Sequence, residues 1–131
     1  MSIKPEYAAR ILSGEKRVEF RKQAFRENVS HVVIYSTTPV RAIVGIYEVD
    51  GVFVATPATV WRKYAPVAGI AYDGFSAYYT NRRRAVAIKV GKIVRFKSPL
   101  PLSSIDERRP PQSFRYLPSL RLAKLLAAAK H

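Results

Sequence analysis

The sequence contains no cysteine, only two histidines, and no apolar run long enough to cross a membrane as a helix. The absence of cysteine excludes disulfide bonds and thiol chemistry and is typical of a reducing compartment, so we expect a cytoplasmic protein. His31 and His131 cannot supply a histidine-rich metal site, and the chain has no glycine-rich phosphate loop. We therefore expect no metal, no cofactor and no membrane partner.

Acidic residues are also scarce. The 131 residues include 23 Lys and Arg but only 9 Asp and Glu, which gives a net charge of +14. The first 50 residues hold 8 basic and 6 acidic side chains, so most of the excess lies in the later segments. A field of this size attracts nucleic acid, anionic lipid or acidic protein, and it exceeds what solubility alone requires.

The pattern of apolar residues predicts alternating short elements in one domain that spans residues 1–131. Pro5 begins a predicted helix that Gly14 ends, and Thr56 with Pro57 begins another. Strands are predicted near residue 3, within residues 14–21, and at residues 31–36, 41–49 and 85–96. A short helix is predicted from about residue 72, and residues 117–131 are predicted to form a C-terminal helix around a stretch rich in Leu and Ala.

These elements favour an α+β fold. The strands at residues 31–49 are too close in sequence for a helical crossover, which disfavours a doubly wound parallel sheet. We expect a small mixed β-barrel of about five or six strands, with short helices covering its mouth.

Residues 14–21 carry the most informative pattern, with charged and apolar side chains interleaved. In a strand, Glu19 and Arg21 share one face while Val18 and Phe20 point to the core, and Lys16 joins them from the loop end. A carboxylate beside cations holds them by charge-assisted hydrogen bonds, and the unused donors can grip a ligand. The alternative is a solvated strand whose ion pairs contribute little.

The chain resembles the ASCH domain family, whose hallmark is glycine, any residue, lysine, any two, glutamate, any, arginine. Gly14, Lys16, Glu19 and Arg21 fill this hallmark. Residues 33–37, the strand around residues 44–45, and residues 111–116 are also similar to segments of stand-alone members. The resemblance implies a PUA-like β-barrel with a cleft beside the motif strand, and a role in binding RNA or another nucleic acid.

The resemblance also raises an enzymatic alternative. One branch of the family consists of amidohydrolases that deacylate modified cytidine, and ribonuclease activity has been attributed to other relatives. The deacylase branch has threonine, its candidate nucleophile, where this chain has Glu19, and it needs a further glutamate from the next helical region. Residues 57–84 contain only one acid, Asp73. This departure argues against the deacylase mechanism.

Three groups of residues are candidates for contact with the ligand. Around the motif, Lys4, Lys16 and Arg21 are expected to donate to phosphate or base edges, with Glu19 orienting them. Ser36 and Thr37 either donate hydroxyl groups to the same cleft or cap a turn. The second group is a basic run beside an aromatic residue, and it consists of Tyr79, Arg82, Arg83 and Arg84. The third group either closes the cleft or covers the core, and it consists of Gln112, Ser113, Arg115 and Tyr116.

We therefore expect a nucleic-acid-binding module, with RNA favoured over DNA and regulation as one use of such binding. The alternative is a hydrolase that acts on RNA or a modified nucleoside, with Lys16 and Glu19 as the groups available for catalysis. A third possibility is a basic domain that binds an acidic protein through its C-terminal helix. The sequence does not specify the oligomeric state.

Overall fold

The computed structural model describes residues 1–105, 109–111, 114, 116–117 and 119–129. Its strands are β1 (Ser2–Ile3), β2 (Val18–Arg21), β3 (His31–Ser36), β4 (Ala42–Ala55) and β5 (Ala85–Leu100). Its helices are α1 (Pro5–Ser13), α2 (Pro57–Tyr64), α3 (Tyr72–Tyr78) and α4 (Ser119–Ala129). Short 3-10 turns occupy Ala65–Val67 and Leu102–Ile105.

The five strands form one sheet in the order β1-β3-β4-β5-β2. β1 pairs with β3 in parallel, and the other neighbours are antiparallel. The α+β class is confirmed, but the predicted barrel is not, because β1 and β2 do not pair in the described part of the chain. Instead of a strand ladder, the Arg21 guanidinium (Nη2) donates across this gap to the Ser2 carbonyl at 2.8 Å.

The predicted start and end of α1 and the predicted start of α2 agree with the structure, whereas α4 begins at Ser119 and not at residue 117. α1 ends where Gly14 adopts φ 86°, a left-handed conformation that glycine adopts without steric cost, and its N–H donates to the Ile11 carbonyl at 3.1 Å. At the start of α2, the Thr56 hydroxyl accepts from the N–H of Thr59 at 3.3 Å. These caps are local, which explains why the sequence alone located them.

The central strands are longer than predicted. β4 continues to Ala55, six residues past the predicted end, and β5 is one strand that reaches Leu100. The two strands pair along most of their length, from Ile43 opposite Leu100 to Ala55 opposite Ala85. Mutual pairing stabilises residues whose own sequence pattern is ambiguous.

The core consists of three clusters. The first lies between α1 and the sheet, and the second lies between the sheet and helices α2 and α3. Val18 and Phe20 belong to the second cluster, as predicted for the apolar face of β2. The third cluster includes Leu125 of α4, which packs with Ile105. In the part of the chain that is described, no helix is long and apolar enough to span a membrane.

Candidate functional site

A cleft of about 480 Å³ lies in the gap between the two edge strands β1 and β2. We call it the motif cleft, because the charged hallmark residues line it. Helix α1 borders it on one side and α3 on the other. Its lining comprises Ser2, Ile3, Lys4, Tyr7, Lys16, Glu19, Phe20, Arg21, Thr37, Ile70, Gly74, Phe75 and Tyr78. The gap in the sheet and the candidate site are therefore the same feature.

Lys16 is the most deeply placed cation in the motif cleft, with only 2% of its surface exposed. Its ammonium (Nζ) donates to the Ala68 carbonyl at 2.5 Å and lies over the rings of Phe20 and Tyr7, 4.8 Å and 5.5 Å from their centroids. Burial lowers the pKa of Lys16, and the negative charge of Glu19 opposes that shift. This lysine is buried and anchored, whereas the sequence analysis expected it to donate to a phosphate or a base edge.

The segment before α3 is shaped to fit Lys16. Gly69 has φ 60°, and a Cβ built there would lie 2.5 Å from the Lys16 Cβ, so no side chain fits without movement. Arg10 of α1 also reaches this segment, where its Nη1 donates to the Gly69 carbonyl at 2.8 Å. Two cationic side chains thus hold the backbone just before Ile70, which belongs to the lining of the motif cleft.

Glu19 is 7% exposed, and its two carboxylate oxygens differ. Oε1 accepts from the N–H of Phe20 at 3.1 Å. Oε2 is buried and has no hydrogen-bond partner among the described residues. A buried carboxylate oxygen without a donor is costly, and such groups in native structures are usually explained by water, strain or a missing ligand. Glu19 thus belongs to the lining of the motif cleft and carries a buried acceptor that no donor of the described residues uses.

The remaining motif and rim residues supply donors. Arg21 bridges to Ser2, as described above, and is half-buried. Lys4 is exposed just before α1, and Thr37, which follows β3, also belongs to the lining. The structure thus brings together Lys4, Lys16, Glu19, Arg21 and Thr37, five of the residues predicted from the sequence.

Aromatic rings wall the motif cleft, and sequence reasoning missed two of them. Tyr7 and Tyr78 line it together with Phe20 and Phe75. The Lys22 ammonium lies 4.7 Å from the centre of the Tyr78 ring, and burial raises the pKa of Tyr78. The available signal was helical spacing, because Gly74 and Tyr78 lie four residues apart and share a face of α3.

Two predicted contacts lie elsewhere. Ser36 is 2% exposed within the sheet, paired with Ile3 and Ala42, and does not line the motif cleft. Tyr79 is 3% exposed, and its hydroxyl donates to the Arg21 carbonyl at 2.8 Å. Tyr79 therefore supports β2 from the core, and the adjacent Tyr78 is the tyrosine that borders the motif cleft.

The later predicted groups are also separate from the motif cleft. Arg82, Arg83 and Arg84 are exposed just before β5. Tyr116 lines a different cavity, of about 230 Å³, and its hydroxyl accepts from the N–H of Arg26 at 2.6 Å. Tyr116 is not part of the motif-cleft lining, so of the two alternatives its position favours a structural cover. Gln112, Ser113 and Arg115 lie outside the described residues.

The described residues contain no group of three or more His, Cys, Asp or Glu side chains that could hold a metal ion. The chemistry of the motif cleft is instead one carboxylate acceptor, several cationic donors and aromatic walls. These groups can recognise a planar polar ligand that carries N–H donors.

Comparison with known proteins agrees with the motif. The family model described as the ASCH domain matches residues 1–94. A protein named ASCH domain-containing ribonuclease, from Zymomonas mobilis, is 27% identical over an alignment of 135 positions with gaps, which covers 97% of this chain and 88% of that protein. The crystal structure of ASCH from Zymomonas mobilis has a TM-score of 0.88 at 26% identity, covering 97% of this chain and 92% of that one.

A longer relative also matches. The large ribosomal subunit protein uL22 of Ureaplasma parvum serovar 3 is 30% identical over 103 residues, which cover 79% of this chain. This chain spans only 33% of the length of that protein.

Proposed function

The chain belongs to the ASCH domain family, and on that premise we propose that it binds RNA, with a base held in the motif cleft. The observation that carries this proposal is Oε2 of Glu19, which has no hydrogen-bond partner among the described residues, in a cleft whose lining includes aromatic rings. Carboxylates accept from base N–H groups, as in contacts to the cytosine amino group, and base faces stack on aromatic rings. The relative named a ribonuclease supports RNA as the nucleic acid.

The charges of the motif cleft favour one part of the ligand at its inner end and another part at its rim. A phosphate at the inner end would face the negative charge of Glu19, whereas an N–H donor would satisfy it. Lys4 is exposed at the rim and is free to move to a phosphate. We therefore place the base against Glu19 and the sugar–phosphate backbone near Lys4, with Arg21 holding the two edge strands at a fixed spacing.

The net charge of +14 supports the same ligand class. Phosphate contacts release counterions, so affinity for a nucleic acid falls steeply as salt rises. The exposed arginines before β5 add to the attraction without specifying a sequence, because phosphate contacts position a nucleic acid and base contacts select it. A regulatory role would follow from binding of this kind.

The test is fluorescence anisotropy with a labelled single-stranded RNA octamer, the same sequence as DNA, and the RNA duplex, at stepped salt concentrations. We expect tightest binding to single-stranded RNA, because a base in a duplex is not free to enter the motif cleft. Lys4→Ala should weaken binding more than Lys97→Ala, a control that removes the same charge from an exposed position of β5 outside the cleft lining. Absence of binding at low salt, or equal effects of the two variants, would contradict the proposal.

A second candidate function is RNA cleavage, favoured by the relative named a ribonuclease, which matches 97% of this chain. The lowered pKa of Lys16 brings its amine closer to the neutral form that accepts a proton, and this lysine lines the motif cleft. Cleavage of the RNA octamer that is lost in Lys16→Met would support catalysis. Intact RNA after long incubation would leave binding as the function. We do not propose acylcytidine hydrolysis, since Glu19 replaces the threonine of that branch.

A further inference from the structure

A second depression, which we call the α3 groove, lies on the side of α3 away from the motif cleft. It has a volume of about 450 Å³ and is lined by Pro57, Ala58, Tyr72, Phe75, Ser76, Tyr79, Thr80 and Arg82. One face of α3 lines the groove through Tyr72 and Ser76, four residues apart, while Gly74 and Tyr78 line the motif cleft. Phe75 borders both. The helix is thus a ridge between two depressions.

Tyr72 is the most exposed of the large apolar side chains in the described part of the chain, at 56%. Its ring contacts Trp61 edge-on, with 5.3 Å between centroids, and Trp61 in turn contacts Phe75 at 4.9 Å. The Tyr72 ring is therefore held in place by contact with an aromatic cluster while remaining open to solvent. A supported and exposed ring of this kind is a platform on which a nucleic-acid base can stack.

Two arginines lie on the segments that form the α3 groove. Arg82 lines the α3 groove, and Arg62 follows Ala58 by one helical turn, so it extends the same face of α2. Residues 57–84 contain five Lys and Arg against a single acid, Asp73. The groove therefore combines an aromatic platform, two exposed hydroxyl-bearing residues and a positive field, the combination that single strands require.

We propose that the α3 groove is a second nucleotide subsite, in which a base of single-stranded RNA stacks on Tyr72 and Arg82 binds a neighbouring phosphate. This inference rests on the proposed function, because the same strand occupies the motif cleft. A helix with its side chains is about 10–12 Å wide, and stacked nucleotides are spaced about 3.4 Å apart. A strand therefore needs about three nucleotides to cross α3, and only oligomers of about four or more reach both depressions.

The experiment compares a single-stranded RNA octamer with cytidine and guanosine monophosphates, measuring the affinity of each for the same variants. Tyr72→Ala should weaken octamer binding about tenfold and leave mononucleotide binding unchanged, since stacking is lost only in the longer ligand. Tyr72→Phe should retain full octamer affinity. Thermal unfolding of each variant checks that the contact with Trp61 is not needed for folding.

A second variant leaves the contact between Tyr72 and Trp61 intact. Ser76→Glu places a carboxylate on the exposed wall of the α3 groove, and Ser98→Glu makes the same charge change at an exposed position outside it. The octamer should bind Ser76→Glu more weakly than Ser98→Glu. Octamer affinity unchanged in both Tyr72→Ala and Ser76→Glu overturns the second subsite, while intact binding of mononucleotides would leave the motif cleft as the binding site. Absence of RNA binding by the unaltered protein would refute both the proposed function and the second subsite.

Discussion

The substitution Glu19→Gln separates base recognition from simple attraction to phosphate. It keeps the size and shape of the side chain but replaces one carboxylate oxygen with an NH2 group. In the unaltered protein the Phe20 N–H donates to Oε1 of Glu19 at 3.1 Å. In one orientation of the glutamine amide the NH2 group faces this N–H, and in the other it faces the ligand at the position of Oε2. Either way one donor opposes another donor, so rotation of the amide does not rescue the contact.

The two explanations predict opposite signs for the change in affinity. A hydrogen bond to a charged group contributes about 1.5–3 kcal/mol, so base recognition predicts RNA binding that is about 10- to 160-fold weaker. Attraction by the overall field predicts tighter binding, because the substitution removes a negative charge from a protein that already carries +14. The salt dependence should hardly change, since Glu19 makes no phosphate contact in this proposal.

The assay is anisotropy with the single-stranded RNA octamer at fixed salt. Glu15→Gln serves as the matched control, because Glu15 is exposed in the loop just before β2 and its substitution changes the net charge equally. Urea denaturation of both variants establishes that they are folded. Equal or tighter RNA binding by Glu19→Gln, with Glu15→Gln behaving alike, would refute the role of the carboxylate as a base acceptor.

Three predictions concern stability and can be measured by urea denaturation. Gly69→Ala should lower the free energy of unfolding by at least about 2 kcal/mol, because it combines a left-handed backbone with a clash against Lys16. Gly14→Ala is the control: a Cβ there meets nothing within 4 Å, so the substitution should cost only the backbone strain of about 1–2 kcal/mol. Thr56→Ala should cost about 1 kcal/mol through loss of the α2 cap, and an unchanged midpoint would show that the cap is dispensable. Stability should fall as pH rises above about 10, because burial raises the pKa of Tyr79 above its usual 10.0 and the unfolded chain releases this proton first; a decline just as steep in Tyr79→Phe would assign the effect to other groups.

Local signals explain which parts of the fold were predictable. The start and end of α1, the cap of α2 and the apolar face of β2 each depend on residues within one turn or one strand, and all were predicted. The far halves of β4 and β5 were not fully predicted, because their pairing is decided by contact between distant segments. Barrel closure was expected from the strand count and the family resemblance, but it depends on whether β1 and β2 meet, which no local pattern encodes.

The residues of the candidate site likewise separate into those that the sequence predicted and those that it missed. Lys16, Glu19 and Arg21 were found because spacing within a single short segment places them together. Tyr7 and Tyr78 were missed because they come from two helices that meet only in the fold. The sequence analysis chose Tyr79, whereas the adjacent Tyr78 lines the motif cleft and Tyr79 is buried in the core. One position along a helix is a rotation of about 100°, which is enough to make this difference.

The sequence by itself determined the charge, the hallmark motif and the faces of its strand, because these follow from composition and from the twofold period of side chains in a strand. Only the tertiary structure decided that β1 and β2 stay apart, so that the motif lines an open cleft. It also decided the burial of Lys16 against Gly69 and left Oε2 of Glu19 without a donor from the part of the chain that the structure describes. Those properties arise where segments far apart in the chain compete for the same space and the same hydrogen bonds, and no single segment contains that information.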